Sequence, residues 1–360
     1  MTNKTVKELR EIAKERNIKG YSKLKKDELV ELLREPTIQE KFEKTLSEDV
    51  ELIVYKDQEN WLETRKLGIG GSDIAGILGQ SKYKSPIDVW NDKVNGSKFT
   101  GNRYTRWGHN LEQPVALEFQ ALHEEYKVFE YNKTFKKGKA LANVDRLLYD
   151  LNTGEYGVLE IKTSNFFGGK EWNGDTIPQE YYCQVMHYLA VTGLKFAWIA
   201  CLVGGNDYKE FIIERNDEEC EFILKSCENF WNDYIATKNP PSPDGHDSYT
   251  EYLAEQMENF SDKIVEIEGL DEKVERIKEI EKNIKELDKE RKLLKQELMV
   301  EMIERECKKA QGKNNKVSLV KGRSSVDKES FKKTYPEIFN SYFEKEKEFK
   351  VEGKSSIRIY

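Results

Sequence analysis

Ala142-Asn-Val-Asp145-Arg-Leu-Leu-Tyr-Asp-Leu-Asn152-Thr-Gly154-Glu-Tyr-Gly-Val-Leu-Glu160-Ile-Lys162 is the stretch on which the fold is decided. Two apolar-rich runs flank the turn-forming cluster Asn152-Thr153-Gly154, which predicts a β-hairpin. Side chains alternate along a strand, so Leu159 and Ile161 share one face while Glu160 and Lys162 share the other. If the hairpin folds symmetrically about Asn152 and Thr153, Asp145 faces Glu160 with Cβ atoms about 5 Å apart. Two carboxylates that close repel unless a cation sits between them, and a hard, oxygen-liganded ion such as Mg²⁺ suits the gap. Lys162, on the same face, is placed to stabilise a developing negative charge or to orient a water. Charged residues make up 35% of the chain, so the hairpin taken alone reads first as a solvated edge with ordinary ion pairs. The remainder of the chain decides between the two.

At 360 residues the chain has room for two or three domains. No apolar run approaches the roughly 20 residues of a membrane span, and the N-terminus is polar, without the apolar core of a signal peptide. The five cysteines (Cys183, Cys201, Cys220, Cys227, Cys307) are odd in number and show no C-x-x-C spacing. They read as reduced thiols, and the expected location is cytoplasmic. The four histidines (His109, His123, His187, His246) form no ligand pair at helical spacing, which argues against zinc. A net charge of −7 excludes a protein that coats nucleic acid over its whole surface, but it permits local basic patches and an acidic metal site.

Residues 1–34 form a basic unit of ten Lys or Arg against six acids. Val6, Leu9, Ile12 and Ala13 fall at helical spacing, as do Leu29, Leu32 and Leu33. Asn17 to Ser22 breaks the first helix, and Ser22 is the expected cap of the second. Through Leu9, Gly20 and the run Ser22-Lys-Leu-Lys-Lys-Asp-Glu-Leu29 this unit resembles the SAP and helix-extension-helix modules that bind DNA. A small helical pair that docks protein is the alternative. Residues 35–50 are polar and acidic and read as a linker.

The core is expected over 51–238. Gly68-Ile-Gly70-Gly71-Ser72-Asp73 precedes an apolar helical run, with Trp61 and Arg65 upstream. Such a loop delivers N–H groups and a hydroxyl as an anion site. It lacks the Gly-Lys-Ser/Thr of a nucleotide-binding P-loop, which excludes ATP binding. A helix carrying Glu112 follows, starting at Asn110 or earlier with Pro114 inside it, and burying Val115, Ala116, Phe119 and Leu122. Beyond the hairpin come a loop over 163–175, a helix over 180–189, strands over 196–203 and 208–213, and a helix over 218–236. This order predicts an α/β fold, a mixed central sheet flanked by helices. A Pro-rich linker is expected over 239–262 and a charged long helix over 263–311. In that helix Ile277, Ile280, Ile284, Leu287, Leu294 and Leu298 approximate a heptad seam interrupted by Arg291. Packing back on its own domain is the expectation for it. Residues 312–360 read as a small α/β extension with a strand over 317–320, a helix after Asp327 and alternation at Ile357 and Ile359.

Five short motifs occur in order: Arg65-x6-Ser72 with Gly68-Ile-Gly-Gly71, Gly108-x3-Glu112, Asn143-Val-Asp145, Leu159-Glu-Ile-Lys162 and Tyr182-Cys-Gln184-Val. Together they resemble the YqaJ-type viral recombinase nucleases, relatives of phage-lambda exonuclease within the PD-(D/E)xK superfamily, over roughly residues 55–240. The resemblance implies a restriction-endonuclease-like core in which Asp145 and Glu160 hold Mg²⁺, with Mn²⁺ as a substitute. Glu112 would supply a further carboxylate, Lys162 would position the attacking water, and Gln184 would lie beside them. It implies that Arg65 and Ser72 grip a DNA 5′-phosphate. The family's proline before the first acid is Val144 here, a variation at a loosely specified position. By resemblance the chain is a phage- or virus-encoded exonuclease. It degrades one strand of duplex DNA from an end, hands the 3′ overhang to a single-strand annealing protein, and assembles as a homo-oligomeric ring. The rival readings are a catalytically inactive DNA-binding accessory protein on the same fold and an iron–sulfur exonuclease. The latter needs four clustered cysteines, which the chain lacks.

Overall fold

The computed structural model describes residues 4–16, 18–34, 36–97, 101–172, 176–257, 263–320 and 328–341. The chain divides into two compact units, Met1–Tyr252 and Leu253–Tyr360.

The first unit begins with α1 (Val6–Glu15), whose Thr5 cap and Glu8 form a reciprocal capping box. Gly20 turns the chain at φ +82°, where a side chain is strained. A 3₁₀ turn (Tyr21–Lys23) and α2 (Lys26–Leu33) follow. Ser22 lies inside that turn; the residue at the cap position of α2 is Lys25, whose N–H donates to Glu28 at 2.6 Å. Leu9, Ala13, Leu29 and Leu33 make a small core of their own, while Leu32 faces out.

The expected linker over 35–50 is instead part of the main core. Its Thr37 and Glu40 form a capping box that opens α3 (Ile38–Glu43). Phe42 is fully buried, its ring 5.3 Å from Tyr131, 5.9 Å from Phe135 and 5.1 Å from Tyr156. Burial of one such ring stabilises by about 1.5–3 kcal/mol, enough to anchor an otherwise charged hexapeptide.

The core elements are β1 (Glu51–Val54), α4 (Gln58–Arg65), β2 (Ile69–Gly70), α5 (Gly71–Ile77), α6 (Pro86–Val94), α7 (Arg103–Leu122), β3 (Tyr126–Phe129), β4 (Lys133–Lys137), β5 (Ala140–Ala142), β6 (Arg146–Asp150) and β7 (Tyr156–Ser164). They continue with α8 (Gln179–Thr192), β8 (Phe196–Val203), β9 (Asp207–Glu214) and α9 (Asp217–Phe230), which passes into a π-helical turn over Trp231–Ile235. The larger sheet has the order β3-β6-β7-β8-β9, mixed because β7 and β8 run parallel with α8 as their crossover. A smaller sheet, β1-β4-β5-β2, pairs β2 parallel to β5. This is the expected α/β core with mixed sheets flanked by helices.

Helix α7 runs unbroken through Pro114, so the earlier start is the observed one; Asn102 caps it by accepting from the N–H groups of Tyr104 and Thr105. Its Val115, Ala116 and Phe119 pack on Leu148, Leu159, Ile161 and Ala200 at one face of the larger sheet. Leu122, expected in that stripe, is 54% exposed. The other face receives α8, with Val185, Met186 and Leu189 against Val158, Ala197 and Ile199. Glu160 points to this second face.

The Pro-rich segment after 239 is more than a linker. Helix α10 (Asp247–Met257) follows it, and buried Tyr249 donates its hydroxyl to the Pro241 carbonyl at 2.8 Å. The second unit holds α11 (Leu270–Glu304), a β10 (Lys309–Gln311) and β11 (Lys316–Ser318) hairpin, and α12 (Lys328–Thr334). Within this unit the six apolar seam residues of α11 are exposed. The alternation at Ile357 and Ile359 lies outside the described residues.

Candidate active site

The hairpin register is the one that symmetry about Asn152 and Thr153 requires. Arg146 pairs with Leu159, Leu147 with Val158 and Tyr149 with Tyr156. One step further sets Asp145 opposite Glu160, and Asp145 Oδ2 accepts the Ile161 N–H at 2.8 Å. Asp145 is half-buried, and Glu160 is 2% exposed. Burial first, and then the Asp145 charge, push the Glu160 carboxyl up to about 8 despite the opposing pull of Lys162. The pair is therefore costly to ionise fully without a counter-ion.

Glu160 Oε1 accepts from Lys162 Nζ at 2.5 Å and from Gln184 Nε2 at 2.7 Å. Its Oε2 is buried with no hydrogen-bond partner among the described residues. One oxygen is thus fixed and the other lacks a hydrogen bond among the described residues, and a buried unpaired carboxylate oxygen costs on the order of 1–3 kcal/mol. Lys162 also lies 5.0 Å from the Tyr181 ring centroid. Although burial alone would lower its pKa, Glu160 and then Asp145 raise it, so the ammonium stays charged. Gln184 further donates to the Tyr188 hydroxyl at 2.7 Å. Four of the predicted residues, Asp145, Glu160, Lys162 and Gln184, are therefore brought together.

Glu112 is the fifth. It sits on α7 with His109 Nδ1 at 3.4 Å, and burial followed by the Asp145 charge raises its pKa. It thus feels Asp145, but among the described residues no group of three or more His, Cys, Asp or Glu side chains converges as a metal-holding set. The five cysteines are free thiols, four of them buried, as expected of core residues.

Arg65 and Ser72 meet as well: Arg65 Nη2 donates to Ser72 Oγ at 3.0 Å, and the guanidinium lies 4.9 Å over the Trp61 ring. Ser72 is exposed, and Gly70 stands at the cap position of α5. The glycine run exists for close approach. A Cβ on Gly71 would lie 2.5 Å from Tyr188 Cε1 and 3.2 Å from Gln184 Cγ. Helix α8 therefore touches the glycine loop with the same Tyr188 and Gln184 that reach Glu160.

Sequence reasoning missed what lies beneath this loop. Asp73, 1% exposed, bonds Lys84 at 2.7 Å and Lys93 at 2.8 Å, and accepts the Gly70 N–H at 3.0 Å. Lys93 Nζ also donates to the Arg65 carbonyl at 2.8 Å. Burial would raise the Asp73 pKa, but Lys93 and Lys84 outweigh it and hold the carboxyl well below the usual range. A second missed link is Asn143, whose Oδ1 accepts from Trp61 Nε1 at 3.3 Å and Thr134 Oγ1 at 2.7 Å. It ties α4 to the residues just before Asp145. The only advance signal was an acid at the head of an apolar helical run.

Residues 60–195 match the family described as YqaJ-like viral recombinase domain, and residues 1–40 match the Rho termination factor N-terminal domain. The chain is 35% identical over 225 residues to the protein YqaJ of Bacillus subtilis (strain 168), itself uncharacterized, covering 58% of this chain and 67% of that one. Among solved structures it is similar to the Laribacter hongkongensis alkaline exonuclease LHK-Exo in complex with dAMP, at 18% identity and a TM-score of 0.43, over 56% of this chain and all (100%) of that one. It is also similar to a phage-related exonuclease from Haemophilus somnus 129PT, at 14% identity and a TM-score of 0.37, over 48% of this chain and 96% of the other. With the register, the carboxylate pair and the glycine loop in place, and with a relative at this identity, the chain belongs to the YqaJ-like viral recombinase family.

Proposed function

We propose that this chain is a metal-dependent deoxyribonuclease. It degrades one strand of linear duplex DNA from an end, in the 5′→3′ direction, and leaves a 3′ overhang for a single-strand annealing protein. The observation that carries the reading is Glu160: buried, beside Asp145, with Oε1 doubly bonded and Oε2 without a partner. That donor set fits a hard divalent cation, Mg²⁺ or Mn²⁺, held by Asp145 and Glu160, with Glu112 as a further carboxylate. The chemistry such a cation supplies is Lewis acidity toward water and the phosphodiester.

The protein's own groups do the rest. Lys162 and Gln184 fix the Glu160 carboxylate in one orientation through Oε1 and leave Oε2 without a hydrogen bond among the described residues. The charged Lys162 ammonium is placed to orient the attacking water and to offset the charge that builds on phosphate. In the reaction the water oxygen joins phosphorus, the bond from phosphorus to the leaving sugar oxygen breaks, and the water proton ends on that oxygen. Arg65 Nη2 and the Ser72 hydroxyl, exposed together at the glycine loop, offer charge-assisted bonds to a terminal 5′-phosphate. The exposed lysines of residues 4–26 add sequence-independent attraction for the duplex.

End-labelled linear duplex and a covalently closed circle, each with and without Mg²⁺, provide the test. Loss of label from the linear substrate alone, and only with the ion, is expected. Cleavage of the circle, or equal digestion in chelator, would exclude the reading.

A further inference from the structure

Tyr188 stands on α8 one turn beyond Gln184, so the two side chains share a face of the helix. Its phenol oxygen accepts from Gln184 Nε2 at 2.7 Å, and the same amide nitrogen donates to Glu160 Oε1 at 2.7 Å. Both N–H groups of the amide are therefore committed, one to the carboxylate and one to the phenol. The ring itself rests on the glycine loop. A Cβ on Gly71 would lie 2.5 Å from Tyr188 Cε1 and 3.1 Å from Cζ, the carbon that carries the hydroxyl. The side chain is buried in the main core, which leaves the ring no room to swing away from either contact. Burial, then the charges of Glu160 and Asp145, push its pKa well above the ordinary tyrosine value against the pull of Arg65, so the group is a neutral hydroxyl.

We propose that Tyr188 is a positioning residue that makes the carboxylate pair and the Arg65–Ser72 pair one site. Its hydroxyl pins the Gln184 amide, and through that amide the Glu160 carboxylate. Its ring props the backbone at Gly71, next to Ser72. A shift of the glycine loop toward α8 therefore reaches Glu160 through a ring that cannot bend and an amide that has one orientation. Turned over, Gln184 would set its carbonyl oxygen against the carboxylate. The inference rests on the nuclease reading and deepens it. A 5′-phosphate seated at Arg65 and Ser72 and a cation held at Glu160 stand at a spacing set by one rigid side chain, which registers the terminal nucleotide against the cutting centre.

Calorimetric titration of the DNA-free full chain with Mn²⁺, beside digestion of 5′-phosphorylated and 5′-hydroxyl duplex, tests it. Tyr188→Phe keeps the ring and removes the acceptor. Loss of one neutral hydrogen bond should weaken Mn²⁺ binding by roughly three- to tenfold. Both substrates should slow alike at subsaturating Mn²⁺, with the preference for the phosphorylated end intact. Gly71→Ala alters the loop alone, yet it should weaken Mn²⁺ binding as well as lower that preference, because the new methyl drives the ring onto Gln184. A tyrosine that served only to fill the core would lower the urea-unfolding midpoint and leave Mn²⁺ affinity unchanged. If either folded variant binds Mn²⁺ as tightly as wild type, the proposal is overturned while the nuclease reading stands. Tyr188→Phe, the milder change, decides alone if Gly71→Ala does not fold. Wild type that neither binds Mn²⁺ nor cuts overturns both.

Discussion

The carboxylate floor and the arginine–serine cradle are two polar regions joined by α8, and they are built on opposite plans. At the floor the charge is buried and under-compensated: Glu160 is 2% exposed, raised to about 8, and keeps one oxygen unpartnered. At the cradle the donors are accessible, and a single 3.0 Å bond joins Arg65 to Ser72. Its rigidity comes from below, where Asp73, Lys84 and Lys93 form a compensated ion cluster that also holds Gly70 N–H and the Arg65 carbonyl. The difference teaches that a site for a bound ion stores electrostatic need, whereas a site for a ligand that comes and goes stores shape. Gly71, pressed on Tyr188 and Gln184, lets the two communicate geometrically.

The sharpest way to break the contrast is to remove the stored need. Glu160→Gln keeps the shape and deletes the charge. If about 4 kcal/mol of ligand charge is lost, cleavage of linear duplex should fall by roughly a thousandfold. Duplex binding and the circular dichroism spectrum should stay near wild type. A variant that cuts at the wild-type rate under Mg²⁺ would put the centre elsewhere.

The cradle's foundation should fail differently. Asp73→Asn leaves Lys93 buried without its counter-ion, while Lys84 keeps Asp92 at 2.9 Å. The expected loss is about 3 kcal/mol of global stability, read by urea unfolding at neutral pH. The pH dependence has a definite sign. Because the folded carboxyl is held below its unfolded value, its contribution is full above the ordinary carboxylate range of about 3.9 and is lost as pH falls through the folded value. Wild type should therefore lose this contribution in acid, and the gap between the two proteins should narrow there. A gap that is constant with pH would mean that packing, not charge, is what Asp73 provides.

How much of this was legible beforehand divides along the same line. The Asp145–Glu160 pairing follows from period-two alternation and a recognisable turn, both local, so symmetric counting about Asn152 and Thr153 found the register. Gln184 was legible only through the motif Tyr182-Cys-Gln184-Val, which the family resemblance set beside the carboxylates. Asp73 was not, since its partners Lys84 and Lys93 are charges that, read singly, belong on a surface; only tertiary packing brings them inward. Phe42 was passed over although Ile38, Phe42 and Leu46 fall at helical spacing, because the charged residues between them made the segment look solvated. Leu122 erred the other way, because apolar spacing says which residues share a face but not whether anything covers it.

A smaller effect is expected at the cradle itself. Arg65→Ala removes a charged donor but leaves the ion cluster and the carboxylates in place. Wild type should digest 5′-phosphorylated ends faster than 5′-hydroxyl ends. The variant should lose that preference by slowing only the phosphorylated substrate, by roughly ten- to a hundredfold if a bond of about 1.5–3 kcal/mol goes. Equal wild-type rates on both ends would dissolve the distinction between floor and cradle as ion site and ligand site.

The smallest effect belongs to the unit that touches neither. Residues 6–33 have their own core of Leu9, Ala13, Leu29 and Leu33, and Lys4, Lys7, Lys14, Lys19, Lys23, Lys25 and Lys26 are all exposed around it. Exposed lysines on a small rigid scaffold add affinity for a polyanion without adding selectivity, because each phosphate they neutralise releases a counter-ion whatever the base sequence. Deleting residues 1–34 should lower duplex affinity and flatten its dependence on salt, by about 0.9 in the log–log slope for each phosphate contact removed. Turnover at saturating DNA should persist, since α4, the glycine loop and β7 are untouched. The cut must stop short of Phe42, whose loss would open the core and confuse weaker binding with unfolding. Unchanged affinity and slope would assign the unit to a protein partner, and a fall in saturated turnover would mean that it reaches the catalytic face after all.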